Sequence, residues 1–340
     1  MINLNFSKIT VSDALSILKL YDEKWIKLYY NFFIEYFYKN KIEINTSGTT
    51  GNPKTITVSK VQMQKSAAAT INYFNLQKGD SCLLSLSCEF IAGKMMLVRA
   101  IEGKLNLFIA KPCSDPSHYL SRKYDFAPFV PMQVQNIIQS KKVGQIRQLL
   151  IGGGKVNNEI ISQIKVFQTK VFESFGMTET LTHFAIKQIS PNYSEWFKTI
   201  DGFEIDTNKK DELVIKKNGI INSILKTKDL IEKKSNLEFK WLGRSDNVIN
   251  SGGIKIIPEE IERKIAKLIP VRFVLVGLPD KQLGQKIAIV SEKPLKIELE
   301  KINKDLSQYE KIKISKIVTK FPITESGKIK RRELQIILNV

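Results

Sequence analysis

The chain is predicted to form a large α/β domain followed by a small α+β domain, on three observations. Helical and strand-like segments alternate from about residue 42 to about residue 190, as when strands are linked by crossover helices. Residues 200 to 245 are rich in strands and turns. From residue 258 the pattern changes to short elements in the order helix, strand, strand, helix, strand. The 340 residues have room for two or three packed units. With 43% hydrophobic and 26% charged residues, the chain can bury a real core. The boundary is placed near Asp246, giving domains over 1–245 and 246–340.

Element by element, residues 12 to 38 read as one helix with Ser12 as its cap. Its aromatic cluster (Trp25, Tyr29, Tyr30, Phe32, Phe33, Tyr36, Phe37) is expected in the core and not at a membrane surface. A strand over 42 to 44, a Ser/Thr/Gly-rich loop over 46 to 54 and a strand over 55 to 58 follow. Apolar runs at 148 to 151 and 171 to 173 read as further strands. In the second domain the expected elements are a helix over 259 to 267, strands over 273 to 276 and 286 to 290, a helix over 297 to 306 and a strand over 313 to 318. A basic segment closes the chain.

Composition removes several function classes. The net charge is +19, but only eight of the 53 basic residues are Arg, and the lysines are spread along the whole chain. That distribution points to solvated faces and not to a nucleic-acid surface, although small anions would still be attracted. Cys82, Cys88 and Cys113 are odd in number and contain no C-x-x-C pair, and the two histidines, His118 and His183, lie far apart. Neither a disulfide framework nor a zinc site is expected. The cysteines read as small packing residues. The most apolar stretch, residues 82 to 101, is interrupted by Glu89, Lys94 and Arg99, so no transmembrane helix is expected. The start, MINLNFSKITVSD, lacks the basic-then-apolar order of a secretory signal, and a cytoplasmic location is expected.

The chemistry-bearing segments begin with T-S-G-T-T-G-N-P-K, residues 46 to 54. Gly48 and Gly51 permit positive φ and close backbone approach, while Thr46, Ser47, Thr49 and Thr50 add hydroxyl donors. Lys54 supplies a cation. Together they can form a concave anion receptor for phosphate oxygens, though the loop is not a Walker A motif. F-E-S-F-G-M-T-E-T follows at 172 to 180, after the triplet Gly152, Gly153, Gly154. W-L-G-R-S-D-N-V-I-N-S-G-G-I-K-I-I-P-E-E-I-E spans 241 to 262, and F-P-I-T-E-S-G-K-I-K-R-R-E-L spans 321 to 334.

In this order the four motifs resemble the adenylate-forming superfamily: acyl- and aryl-CoA synthetases, peptide-synthetase adenylation domains and beetle luciferases. The resemblance runs from about residue 42 to the end. It implies the adenylate-forming fold, ATP with Mg²⁺, and an acid converted to its acyl-AMP before transfer to coenzyme A. A carboxylate is a poor electrophile, and activation through the α-phosphorus of ATP builds charge that fixed cations and a metal stabilise. The resemblance assigns residues 46 to 54 to the β,γ-phosphates, Thr178 to the α-phosphate and Glu179 to Mg²⁺. It assigns Gly152, Gly153, Gly154, Ser174 and Phe175 to the adenine slot, and Gly176 to the cofactor-binding residues. Asp229, with Arg244 assisting, is assigned to the ribose, although Lys228 stands where the family has glycine. Lys328 matches the catalytic lysine and Asp246 the hinge of a mobile carboxyl-terminal domain. Ser251, Gly252 and Gly253 would face the pantetheine arm.

Only 45 residues precede the phosphate loop, where typical members carry roughly a hundred or more. Part of the usual amino-terminal subdomain is therefore expected to be missing from an otherwise complete set of activation motifs. Within the superfamily the chain is similar to the short bacterial 2-succinylbenzoate–CoA ligases of menaquinone biosynthesis, through F-I-A-G-K-M-M-L-V-R-A-I-E-G (90 to 103) and G-M-T-E-T-L-T-H-F-A-I-K (176 to 187). A second carboxylate needs a cation or several donors once it leaves water. Lys94, Arg99, Thr182 and His183 are the candidates, although Lys94 and Arg99 stand five apart on one helix and do not face one pocket easily. Alternatives are another acyl- or aryl-CoA ligase, an enzyme that loads a carrier protein, and a nucleotide-binding regulatory module.

Overall fold

A computed structural model describes residues 1–45, 55–216, 219–323 and 329–338. The chain divides into two compact units. The first is built on a sheet whose strands are β1 (Ile2–Asn5), β4 (Ser81–Leu84), β5 (Asn106–Ile109), β6 (Tyr124–Phe129), β7 (Ile146–Ile151), β8 (Lys170–Gly176), β9 (His183–Ser190) and β10 (Phe197–Thr199). Their order is β1-β5-β4-β6-β7-β8-β9-β10. β4 to β8 run parallel, and β1, β9 and β10 pair antiparallel to their neighbours. β2 (Lys41–Asn45) and β3 (Thr55–Ser59) form a separate antiparallel pair. The helices are α1 (Val11–Lys19), α2 (Lys24–Tyr38), α3 (Lys60–Phe74), α4 (Ile91–Glu102), α5 (Pro131–Gln139) and α6 (Asn158–Ile164).

The central strands read as continuous apolar runs because helices cover both faces of a parallel sheet. Leu149, Ile151, Val171, Val134, Ile137 and Ile160 meet in one buried cluster. Each such side chain withdrawn from water contributes roughly 1.5–3 kcal/mol before entropy is counted. Three local features differ from the sequence reading. The expected single helix over 12 to 38 is two helices, α1 and α2, broken over residues 20 to 23. Thr10, not Ser12, caps α1, through a reciprocal capping box with Asp13. The amino-terminal residues also supply an unforeseen edge strand, β1. Most of the aromatic cluster packs inward, with Tyr29, Phe32, Phe33 and Tyr36 buried and Trp25 and Tyr30 partly so, but Phe37 is exposed. Cys82 and Cys88 are buried as well, and burial pushes both thiols well above their usual range.

The second unit begins with β11 (Ile205–Thr207), β12 (Glu212–Ile215), β13 (Leu225–Lys233) and β14 (Glu238–Arg244), ordered β14-β13-β12-β11. Beyond them lie β15 (Ile249–Ser251), β16 (Ile254–Ile256), α7 (Pro258–Ile265), β17 (Phe273–Asp280), β18 (Gly284–Ser291), the short α8 (Leu299–Ile302), β19 (Ile314–Ile317) and α9 (Arg331–Leu338). β17 and β18 form a long hairpin whose alternating side chains separate onto two faces. Leu275, Ile287 and Ile289 pack with Ile261 and Ile265 of α7. Val274, Val276, Ala288 and Val290 pack with Leu334 of α9. The helix expected over 297 to 306 is one turn only. Arg331 opens α9. Its guanidinium is drawn inside to Glu262 and the Leu275 carbonyl, so the basic run is part of the packing.

Candidate active site

In the first unit the assigned residues converge where β7 and β8 end. Carboxyl ends of parallel strands are where α/β sheets leave a crevice. Gly152, Gly153 and Gly154 leave β7, and the Gly152 amide donates to the Phe129 carbonyl at 3.0 Å. The Ser174 hydroxyl donates to the Ile151 carbonyl at 3.0 Å, holding β8 against the start of that glycine run. The Phe175 ring is half-buried, with its centroid 5.4 Å from Phe197 and 5.8 Å from Phe184. A Cβ on Gly176 would run into the Thr182 carbonyl and the His183 Cα, so only glycine lets the strand turn there.

A 3₁₀ turn, Thr178–Thr180, follows. Thr180 is buried and ties the turn together through the Met177 amide and the Thr182 carbonyl. This leaves Thr178 and Glu179 facing outward. Glu179 is exposed, and neither side chain has a partner among the described residues. An uncommitted carboxylate beside an uncommitted hydroxyl fits Mg²⁺, which takes one or two carboxylates and fills its octahedron with phosphate and water oxygens.

Behind the turn lies a buried polar cluster. Arg99 of α4 is 2% exposed, and one of its terminal nitrogens donates to the Thr182 hydroxyl at 3.0 Å. Its Nε has no partner, and no carboxylate pairs with it among the described residues. Burial pulls the guanidinium down to about 9. His183 Nε2 lies 3.1 Å from the Thr70 hydroxyl, which donates to the Ser66 carbonyl at 3.1 Å. With its one proton committed to Ser66, that oxygen accepts from Nε2–H of a neutral ring. Burial first, and then the Arg99 charge, hold His183 well below the usual histidine range. A guanidinium withdrawn from water without a counter-ion is costly, and an anionic ligand group would offset that cost. Lys94, by contrast, lies on another side of α4 with its Nζ over the Phe32 ring, 5.6 Å from the centroid.

In the second unit Asp229 and Arg244 are directly opposed on β13 and β14. Asp229 is buried and accepts from the Trp241 indole at 2.9 Å, with Arg244 3.8 Å away. Arg244 instead grips Asp246 with two hydrogen bonds of 2.9 Å. Those bonds raise Arg244. Burial pushes the Asp246 carboxyl up, but the Arg244 contacts outweigh it and hold it below the usual range. Lys228, at the family's glycine position, reaches Glu212 at 3.4 Å. Gly252 and Gly253, at φ +59° and +81°, form the two-residue turn joining β15 to β16, and Ser251 is buried beside it. Such a turn needs positive φ at both positions.

Thr46, Ser47, Gly48, Thr49, Thr50, Gly51, Lys54 and Lys328 lie outside the described residues. The sequence reading missed Glu173 and Lys187, an ion pair 3.0 Å apart across β8 and β9 whose carboxylate is buried. The signal was present: each charge interrupts an apolar strand, and buried charges come in pairs.

The sequence model of the AMP-binding enzyme family matches residues 44–202. The 2-succinylbenzoate–CoA ligase of Listeria monocytogenes is 27% identical over 85% of this chain and 68% of its own length. The structure of an acyl-CoA synthetase (AMP-forming)/AMP-acid ligase II-like protein from Dyadobacter fermentans is 32% identical, with 96% of this chain and 98% of that one covered, at a TM-score of 0.65. The O-succinylbenzoate coenzyme A synthetase of Bacillus subtilis, in complex with ATP and magnesium ion, is 20% identical over 86% of this chain and 69% of its own, at a TM-score of 0.73. Among the described residues no helix is long and apolar enough to cross a membrane. On these relatives, the chain belongs to the AMP-binding enzyme family.

Proposed function

We propose that the chain uses ATP and Mg²⁺ to convert 2-succinylbenzoate to its acyl adenylate and then passes the acyl group to coenzyme A, a cytoplasmic step of menaquinone biosynthesis. The observation that carries the substrate is Arg99, a buried cation with an unpartnered Nε beside Thr182, three residues past Glu179. A dicarboxylate brings the counter-ion this cation lacks among the described residues, while its other carboxylate is activated. The name of the Listeria relative supports the same acid.

In this reading Phe175 presents its ring to adenine beside the Gly152–Gly154 run, and Asp229 accepts from the ribose hydroxyls. Glu179 holds the magnesium ion, which supplies Lewis-acid stabilisation of phosphate charge. Thr178 donates to the α-phosphate. Thr46 to Lys54 take the β,γ-phosphates, and Lys328 neutralises charge at the reacting carboxylate and α-phosphate. Residues 246–340 move as a small domain about Asp246, with Ser251, Gly252 and Gly253 lining the thiol's approach in the second half-reaction.

The test is pyrophosphate release across a panel of carboxylic acids, with and without coenzyme A. 2-Succinylbenzoate should give the highest kcat/KM, and a benzoate or medium-chain fatty acid that outperforms it would remove the substrate while leaving adenylation standing. Lys328→Ala should cut acyl-AMP formation by about a thousandfold or more, yet leave thioester formation from supplied acyl-AMP. Equal loss in both half-reactions would overturn the role of Lys328. Asp246→Pro should keep adenylation and lose thioester formation, because Pro fixes φ where rotation is needed.

A further inference from the structure

Glu173 and Lys187 are directly opposed on β8 and β9, the carboxylate buried and the ammonium partly buried, with Nζ 3.0 Å from Oε2. An ion pair in that position needs a reason, since two apolar residues would pack there at lower cost. Its surroundings supply one. The other carboxylate oxygen, Oε1, accepts from the Val156 amide at 3.2 Å, two residues beyond the Gly152–Gly154 run. On the far side, the Lys187 ammonium lies over the Phe197 ring, 4.7 Å from its centroid. Phe197 in turn packs against Phe175. Glu173 and Phe175 are two apart on one strand and so share a face. The pair thus connects the loop that follows the glycine run to the aromatic stack behind Phe175.

We propose that Glu173 and Lys187 are positioning residues that brace the adenine slot, setting the separation of its glycine wall from its Phe175 wall. The proposal rests on the reading of that slot given above. A carboxylate holds the loop through an amide, and a cation holds the aromatic stack through a ring face. Neither group needs to touch the nucleotide. Without the brace the walls remain but their spacing relaxes, and loss of positioning appears as weaker nucleotide binding.

The experiment compares wild type, Lys187→Met, Lys187→Arg, the double variant Glu173→Gln/Lys187→Met, and Phe175→Ala. ATP affinity is read by calorimetry, KM for ATP and for the acid by kinetics, and stability by thermal melting. Lys187→Met should melt earlier, because it leaves a buried carboxylate alone, and should bind ATP about tenfold more weakly with the acid KM unchanged. Lys187→Arg should restore ATP binding. The double variant should regain the melting temperature, with no lone charge left, yet keep the weak ATP binding. Recovery of both together, or ATP binding by Lys187→Met equal to wild type, would overturn the brace. Failure of the wild-type chain to bind ATP at all would instead remove the slot reading. If Phe175→Ala weakens ATP while Lys187→Met does not, the slot stands and only the brace falls.

Discussion

Arg99 sits on α4 with no carboxylate partner among the described residues, whereas Arg244 ends β14 between two. The two are chemically identical and their surroundings displace them in opposite directions. Burial pulls Arg99 down to about 9, while hydrogen bonds to Asp246 raise Arg244. The contrast teaches what an unpaired group signifies. Arg244 has its electrostatic needs met within its own unit and serves local architecture around Asp229 and Asp246. Arg99 bears an unmet desolvation cost, which evolution tolerates where a ligand completes the site.

Arg99→Met tests the contrast most severely. It should lower kcat/KM for 2-succinylbenzoate by about a hundredfold or more, the effect of deleting one partner of a buried charge pair. Activity on an unsubstituted benzoate should not fall. The unliganded protein should become more stable, by about 1–4 kcal/mol, because a buried cation without a counter-ion gives way to an apolar side chain. Loss of stability would mean that Arg99 is already satisfied in the free protein, and the comparison would break.

Arg244→Met should behave in the opposite way. It removes two hydrogen bonds from Asp246 and a neighbouring charge from Asp229, so stability should drop by about 1–2 kcal/mol, a figure discounted for partial exposure. Acid sensitivity sharpens the point. A carboxyl held low contributes stability that is present above its unfolded value and lost as pH falls through the folded one. Chemical denaturation between pH 5 and pH 3 should therefore show a steeper loss for wild type than for the variant, and parallel curves would mean that Asp246 gains nothing from Arg244.

The smallest effect belongs to His183. Its folded state stays neutral while the unfolded chain takes up a proton below about pH 6.5. The unfolded state then binds more protons, so stability falls as pH drops. Between pH 6.5 and 5.5 the loss should approach about 1 kcal/mol, and His183→Gln should remove most of it. A pH-independent difference between the two proteins would show that the ring titrates alike in the folded and unfolded chains.

Much of the candidate site was legible in advance because its residues are neighbours in sequence. Gly152–Gly154 and Ser174–Gly176 stand at strand ends as the alternation implied, and Thr178 and Glu179 face outward on their own turn. The α/β class followed from apolar periodicity, which reports local geometry and which way each face points. What periodicity could not report was partnership. That α1 begins after Thr10 and not at Ser12 was decided by a reciprocal side-chain bond between Thr10 and Asp13, which satisfies amides of the first turn. That Arg331 of the closing basic run packs inward was decided by Glu262, 69 positions away. The sequence by itself determined the chemical vocabulary: hydroxyls, glycines and a lysine over 46 to 54, a carboxylate at 179 and a lysine at 328. Tertiary structure alone decided that Arg99 is buried with no carboxylate partner among the described residues, and that Glu173 meets Lys187 across β8 and β9. The physical reason is desolvation: the cost or benefit of a charge depends on what non-local packing brings beside it, and no local pattern encodes that neighbour.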